Sequence, residues 1–357
     1  MIFTDPALRV DEGLHMYLFG PGYGESMAFR TATSGWIVVD SLRRAVPGTG
    51  NVNPSRALIA ADGAPLSCVV LTHPHRDHVT GFAELVSDAI AAKATVASVA
   101  RFSDVLDEWD TDPVAGEDPA APAELGQAEL ARQAIGRAWR KDRSVPWRIR
   151  AGDRRAFGDL TLTALWPDDA AEAGWNGKPT TANGISSPFL VEWDDRRILL
   201  GADLPAAQWA RVDANGHGVP LAAHSGCKVP HHGSAGARAD VWAIGEVGRT
   251  WALTGWSGNK KLPQLGAGQG AEELLRDVSR MHLTALPFVA ATGQGPWTLT
   301  PAQAAALRPS PRSDTGWGGP PEDLPHGGPM DGWIKLTFFP GVAPTVVLGD
   351  RAGTLVS

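Results

Sequence analysis

Thr72-His73-Pro74-His75-Arg76-Asp77-His78 packs three imidazoles and one carboxylate into the stretch from His73 to His78. Neutral imidazole and carboxylate are the ligands that borderline divalent ions such as zinc take up. The flanks give the context. Cys68-Val69-Val70-Leu71 is a short apolar run that predicts a buried strand, and Phe82-Ala83-Glu84-Leu85-Val86 has apolar residues at helical spacing. A strand feeding a donor-rich turn and then a helix places the donors at a strand's carboxyl end, where open α/β folds keep their chemistry. That context favours a metal site over a surface histidine cluster.

The remainder of the chain sets bounds. Its 357 residues suffice for one large domain or two modest ones, and 43% hydrophobic with 20% charged residues is the composition of a packed globular protein. No apolar run approaches a membrane span, and Met1-Ile2-Phe3-Thr4-Asp5-Pro6 lacks the basic and apolar regions of a signal peptide. The expectation is a soluble cytoplasmic protein without a membrane partner. Cys68 and Cys227 make no disulfide framework and are expected as small buried hydrophobes.

A formal net charge of -7 argues against a protein that coats nucleic acid non-specifically. The charge is unevenly spread. Arg132, Arg137, Arg140, Lys141, Arg143, Arg148, Arg150, Arg154 and Arg155 face only Asp142 and Asp153 in their stretch. Such a run is either a patch for an anionic substrate or a solvated helix face.

Strands are expected at Leu14–Phe19, Gly35–Ser41, Trp147–Arg150 and Leu160–Trp166, and a hairpin at Pro188–Trp193 and Arg197–Leu200 around Asp194-Asp195. The glycine-rich Gly20–Ser26 reads as a tight turn, and residues 91–147 as mostly helical with a break at Thr111–Gly126. Trp333–Phe339 is expected to pair with Thr345–Leu348 across Pro340-Gly341. Strands, helices, strands and helices in turn suit an α/β fold, an αββα sandwich of two mixed sheets with helices outside. Residues 1–300 would form the main domain, with a Pro/Gly-rich loop and terminal strands over 301–357 packed on it.

Two further clusters follow the plan of the first. Arg197-Ile198-Leu199-Leu200-Gly201-Ala202-Asp203 is an apolar strand with a carboxylate just past its end. Gly226-Cys227-Lys228-Val229-Pro230-His231-His232-Gly233-Ser234 is a short extended piece followed by two imidazoles. With Asp40, which follows another apolar strand, four donor groups lie at strand ends. One such aspartate alone would be a turn or a cap; four together imply convergence on one rim.

These residues resemble the metallo-β-lactamase-fold hydrolases: an early motif Asp, H-x-H-x-D-H, a bridging Asp and a late His. Within that superfamily, Gly20–Ser26, Leu200–Asp203 and Lys228–Ser234 are similar to the ComEC C-terminal-domain branch, as is Val241-Trp242 through Thr254-Gly255-Trp256 to Leu262-Pro263. The likeness spans about residues 14–290. It implies two divalent ions, zinc first and manganese second. His73 and His75 would hold one ion and Asp77 and His78 the other. Asp203 would bridge them and His231 would complete the second position, with His232 close behind. Asp40 would orient ligands from behind. One departure stands out: no histidine lies between Val79 and Ala210, where the superfamily usually supplies another. Water or a side chain such as Asn183 would fill that place.

The resemblance implies a metal-dependent hydrolase, first of all a phosphodiesterase or nuclease using a metal-bridging hydroxide. Asp77 and Asp203 would act in catalysis, and Lys228 or Ser234 would contact a phosphate oxygen. The substrate would be anionic: DNA, RNA or a nucleotide. A protein partner in a bacterial defence system is a further expectation from stand-alone relatives. The same ligand set serves hydrolysis of a lactam, lactone, thioester or peptide, and a non-enzymatic binding module is the third class.

Overall fold

Leu66–Leu71 is extended because its residues are buried on both faces, the pattern of a central parallel strand rather than of an amphipathic edge. The computed structural model describes residues 13–20, 24–46, 50–99, 102, 122–142, 146–177, 179–215, 224–243, 249–255, 274, 280–284, 307–309, 332–348 and 353–356.

The chain opens with strands β1 (Leu14–Phe19), β2 (Ser26–Arg30) and β3 (Trp36–Val39), then a ribbon of β4 (Arg44–Val46) and β5 (Gly50–Val52). Helix α1 (Pro54–Asp62) leads to β6 (Leu66–Leu71), followed by α2 (Arg76–Val79), α3 (Phe82–Ala92) and β7 (Thr95–Val99). Helix α4 (Pro122–Lys141) precedes β8 (Pro146–Ile149), β9 (Arg154–Phe157) and β10 (Leu160–Ala164). After α5 (Asp169–Gly174) come β11 (Phe189–Trp193), β12 (Arg196–Leu200), α6 (Ala206–Ala214), β13 (Gly226–Lys228), α7 (Asp240–Ala243) and β14 (Thr250–Leu253). The described elements end with β15 (Arg280–Leu283), β16 (Leu307–Pro309), β17 (Trp333–Phe339), β18 (Val342–Leu348) and β19 (Gly353–Val356).

Two mixed sheets result. The first runs β18-β17-β1-β2-β3-β6-β7-β8 and the second β16-β19-β15-β14-β13-β12-β11-β10-β9. Alternation along each strand divides the apolar residues between layers. On β1, Leu14, Met16 and Leu18 enter the core between the sheets, while Tyr17 and Phe19 join the outer core under α3 and α4. On β12, Ile198 and Leu200 face the other sheet, while Leu199 packs outward with Trp209 of α6 and Trp242 of α7. This is the expected αββα sandwich. Strands beyond residue 300 pair into both sheets, β17 with β1 and β19 with β15.

The expected hairpin forms with Phe189 opposite Leu200, and the terminal one with Ile334 opposite Leu348. The helical reading of 91–147 is corrected by β7. Thr95, Val96 and Val99 are β-branched and lie between β6 and β8, where two buried faces suit a strand. Residues 21–23 of the glycine-rich turn lie outside the described residues, as do 111–121 of the expected break and the motif segment at Trp256 and Leu262-Pro263. Both cysteines are free and buried. No described helix is long and apolar enough to cross a membrane.

Candidate metal centre

The parallel run β3–β6 in one sheet and β12–β13–β14 in the other bring their carboxyl ends to the same rim. Asp40 follows β3, His73 to His78 follow β6, Asp203 follows β12, and His231 and His232 follow β13. The backbone is bent to serve them. Asp40, Ala202, His231 and His232 all have positive φ, between 45° and 59°. Each such residue costs about 1–3 kcal/mol and is held only by a structure that over-determines it. Gly201 allows a close approach between two of these loops, since a Cβ there would stand 2.5 Å from Pro230 Cγ.

Asp77, His78, Asp203 and His232 are all buried, and one ligand atom from each lies within 4.8 Å of the others. His78 Nε2 is 3.5 Å from both Asp77 Oδ2 and Asp203 Oδ2, and His232 Nε2 is 3.1 Å from Asp77 Oδ2. His73 Nε2 approaches Asp203 Oδ2 at 4.0 Å, and the His75 ring stands edge-on to His73 with centroids 4.7 Å apart. Of the two late histidines, His232 belongs to the four-donor group. His231, 30% exposed, stands 4.0 Å from Asp203 Oδ2, about as near as His232 at 3.9 Å, so both late histidines face that carboxylate.

Hydrogen bonds settle which nitrogen each ring presents. Asp40 Oδ1 accepts from Thr72 N at 2.8 Å, and Asp40 Oδ2 accepts from Thr72 Oγ1 at 2.8 Å and from His78 Nδ1 at 2.7 Å. The Thr72 hydroxyl hydrogen is thus committed, and its oxygen accepts from His73 Nδ1 at 3.0 Å. His232 Nδ1 donates to the Thr254 carbonyl at 3.2 Å, a group that can only accept. All three rings therefore turn Nε2 toward the carboxylates. His73 Nε2, His78 Nε2 and Asp203 Oδ1 are buried without a hydrogen-bond partner among the described residues. Unpaired buried polar atoms are costly, and the carboxylates call for positive charge here. Burial pushes His78 down, but Asp77, Asp203 and Asp40 outweigh it and hold it well above the usual imidazole range, a charge that a divalent ion would replace. The donor set fits a divalent ion.

Charge follows the same logic. Burial holds His73 well below the usual imidazole range, reinforced by His78 and His75, so it is a neutral ligand. Burial pushes Asp77 upward, but His78 and His232 outweigh it and keep the carboxyl well below its usual range.

Other expected residues sit differently. Lys228 is fully buried and meets Glu25 Oε1 at 2.6 Å, so the expected phosphate contact is corrected: an ammonium sealed behind the donors cannot touch substrate. Ser234 joins the loop through its backbone, with its N–H donating to His231 O at 2.8 Å. Ser186 lies behind His73, with its Oγ 3.2 Å from His73 Nδ1, the nitrogen turned away from the carboxylates, and it accepts from Asp203 N at 2.9 Å. Asn183, in the same turn, has a buried Oδ1 without a hydrogen-bond partner among the described residues. The basic stretch is largely spent on local partners: Arg132 on Glu129, Arg150 on Asp169 at 3.6 Å, and Arg154 on Glu192 at 3.0 Å. The end of α4 lies near Pro146, which pairs with Val96 at the start of β7, so Arg140 and Lys141 sit at the strand ends remote from the donors. Arg143 is outside the described residues.

Sequence reasoning missed Glu25, Thr254 and Ser186. Glu25 is fully buried and its N–H donates to Asp77 O at 2.9 Å. The signal available for it was an acidic residue between a glycine-rich turn and an apolar strand, a setting with no solvent for a charge.

Among solved structures the chain is similar to a metallo-β-lactamase from Staphylococcus aureus subsp. aureus COL, at 12% identity over 54% of this chain and 44% of that one, with a TM-score of 0.30. It is also similar to the metallo-β-lactamase GOB-18 from Elizabethkingia meningoseptica, at 18% identity over 51% and 56%, TM-score 0.29. A third is the metallo-β-lactamase-fold protein YhfI from Bacillus subtilis, at 12% identity over 68% and 85%, TM-score 0.35. The match thus spans about half the length of the two lactamases. No curated protein matches the chain. The family model described as the metallo-beta-lactamase superfamily matches residues 20–236, a span that takes in Glu25, Asp40, the His73–His78 cluster, Asp203 and His232, and the chain belongs to that superfamily.

Proposed function

We propose that this chain is a metal-dependent hydrolase of phosphodiesters, with a nucleic acid or nucleotide as its anionic substrate. The observation that carries this reading is the oxygen weighting of the donors. Asp77 and Asp203 supply carboxylates to the four-residue group, and no histidine between Val79 and Ala210 adds another imidazole. Oxygen donors favour the harder ions, manganese and magnesium, that serve phosphoryl chemistry. The ComEC-like motifs at Leu200–Asp203 and Lys228–Ser234 support the same substrate class.

Asp77, His78, Asp203 and His232 would hold one ion, and His73 and His75 with Asp203 a second. When bound, such ions activate water and neutralise charge on a phosphoryl oxygen. The protein's own contribution is orientation. Asp40 holds His78 directly and His73 through Thr72, and Ser186 joins the Asp203 backbone to His73. His75 and His231 are only partly buried, so they form the rim that a substrate meets first.

The test is turnover by purified protein loaded with manganese or zinc. Bis-p-nitrophenyl phosphate and single-stranded DNA are set against a β-lactam and a thioester. Diester cleavage that needs the metal and disappears in Asp77→Ala is expected. Cleavage of the lactam or thioester alone would transfer the site to carbonyl chemistry, and inactivity on every diester overturns the reading.

A further inference from the structure

Glu25 and Lys228 are both fully buried, with Lys228 Nζ 2.6 Å from Glu25 Oε1. Replacing a buried ion pair by apolar side chains of similar volume is often neutral or stabilising, so stability alone gives no reason for this one. Its contacts do. Lys228 Nζ donates to Ala202 O at 3.2 Å and lies 3.7 Å from Asp203 Oδ1. The other Asp203 oxygen, Oδ2, faces His78, His232 and His73. The lysine thus holds one side of the carboxylate whose other side meets the imidazoles, and it braces Ala202 in its left-handed conformation.

Glu25 reaches the centre by a second route. Its Oε2 accepts from Thr254 Oγ1 at 2.6 Å. With that hydrogen committed, Thr254 Oγ1 can only accept from His232 Nδ1, 2.8 Å away. His232 Nε2 is thereby the nitrogen turned to the centre, 3.1 Å from Asp77 Oδ2, to which it donates when no ion is bound. The arrangement repeats that of Asp40, Thr72 and His73: a carboxylate takes a threonine hydrogen, and the threonine oxygen takes an imidazole hydrogen.

We propose that Glu25 and Lys228 are positioning residues of the metal centre, Glu25 holding the His232 ring in place through the Thr254 hydroxyl while Lys228 fixes Asp203. The proposal rests on the metal-centre reading above. Partners behind metal-ligating histidines set ligand basicity and orientation, and losing one weakens metal binding by about 10–100-fold.

Thr254→Val tests it, because it removes the hydroxyl at nearly constant volume and keeps both charges. Zinc and manganese dissociation constants would be measured by chelator competition, with the visible spectrum of the cobalt-loaded protein as a report on ligand geometry. Far-UV circular dichroism and thermal melting would confirm folding. Thr254→Val should bind about 10–100-fold more weakly with an altered cobalt spectrum, and Thr254→Ser should return to about wild-type affinity. The double variant Glu25→Gln with Lys228→Met, which leaves no unpaired charge, should lose affinity to a similar degree. A valine variant that binds as tightly as wild type, or a serine variant as weak as the valine one, overturns the proposal. Wild-type protein that takes up no transition metal overturns the metal-centre reading and this proposal together.

Discussion

His78 Nδ1 donates to Asp40 Oδ2 across 2.7 Å, and both side chains have no solvent exposure. The aspartate accepts three hydrogen bonds on its two oxygens, so it stays put while the ring turns its other nitrogen to Asp77 and Asp203. Burial pushes this carboxyl above its usual range, and contact with His78 works against that shift. The pair is a fixed support on which the two-carboxylate centre is built.

Asp40→Ala should therefore weaken divalent-metal binding by about 10–100-fold. It also places alanine at a φ of 59°, so melting temperature should fall. Asp40→Asn accommodates that backbone and should keep more stability while losing comparable metal affinity. Chelator competition and calorimetric melting separate the two effects; equal affinity in all three proteins would refute the orienting role.

His232→Ala should impair metal binding more than His231→Ala, by about a factor of ten or more, because only His232 sits within the buried four-donor group. Metal content after dialysis against a weak chelator measures this. The reverse order would return the completing place to His231.

Gly201→Ala should destabilise the fold by about 1–3 kcal/mol, the usual range for forced overpacking. The added methyl would meet Pro230 Cγ at 2.5 Å and Lys228 O at 2.8 Å, both beside the centre. Metal affinity should drop with stability. An unchanged denaturation midpoint would show that the loop yields freely.

Asp168 caps α5 by accepting from Ala171 N at 2.7 Å, and it also takes Arg211 at 2.7 Å and Asn215 at 3.0 Å. Partial burial alone would raise this carboxyl, but the cap, Asn215 and Arg211 together hold it below its ordinary value. A depressed carboxyl stabilises the fold above the unfolded pKa, near ~3.9, and that stabilisation is lost as pH falls through the lower folded value. Asp168→Ala should cost about 1 kcal/mol at neutral pH through the lost cap, with little added for the half-exposed arginine. Asp168→Asn should retain most of the cap. The gap between wild type and Asp168→Asn should be flat near neutrality and close in acid; a gap that widens in acid would contradict the sign.

Much of the site was legible in the sequence because metal ligands follow local rules. His73, His75, Asp77 and His78 lie on one turn whose strand and helix flanks are visible as apolar patterns. Asp203 and the two late histidines could be placed at strand ends in the same way. Thr95–Val99 was harder, because a short apolar segment after a helix continues helical spacing as readily as it starts a strand, and only its neighbours β6 and β8 decide the matter.

Apart from β7, the strands and helices that build the αββα sandwich, and the donor clusters, follow from periodicity and residue chemistry, which are properties of neighbours along the chain. The tertiary structure alone decided that Lys228 is sealed against Glu25 rather than open to substrate, that Ser186 stands beside His73, and that His232 enters the group ahead of His231. Thr254 and Glu25 are 229 positions apart yet share a hydrogen bond of 2.6 Å. Which loops meet at the rim depends on how two sheets stack, and a buried charge finds its partner only once that stacking has excluded water.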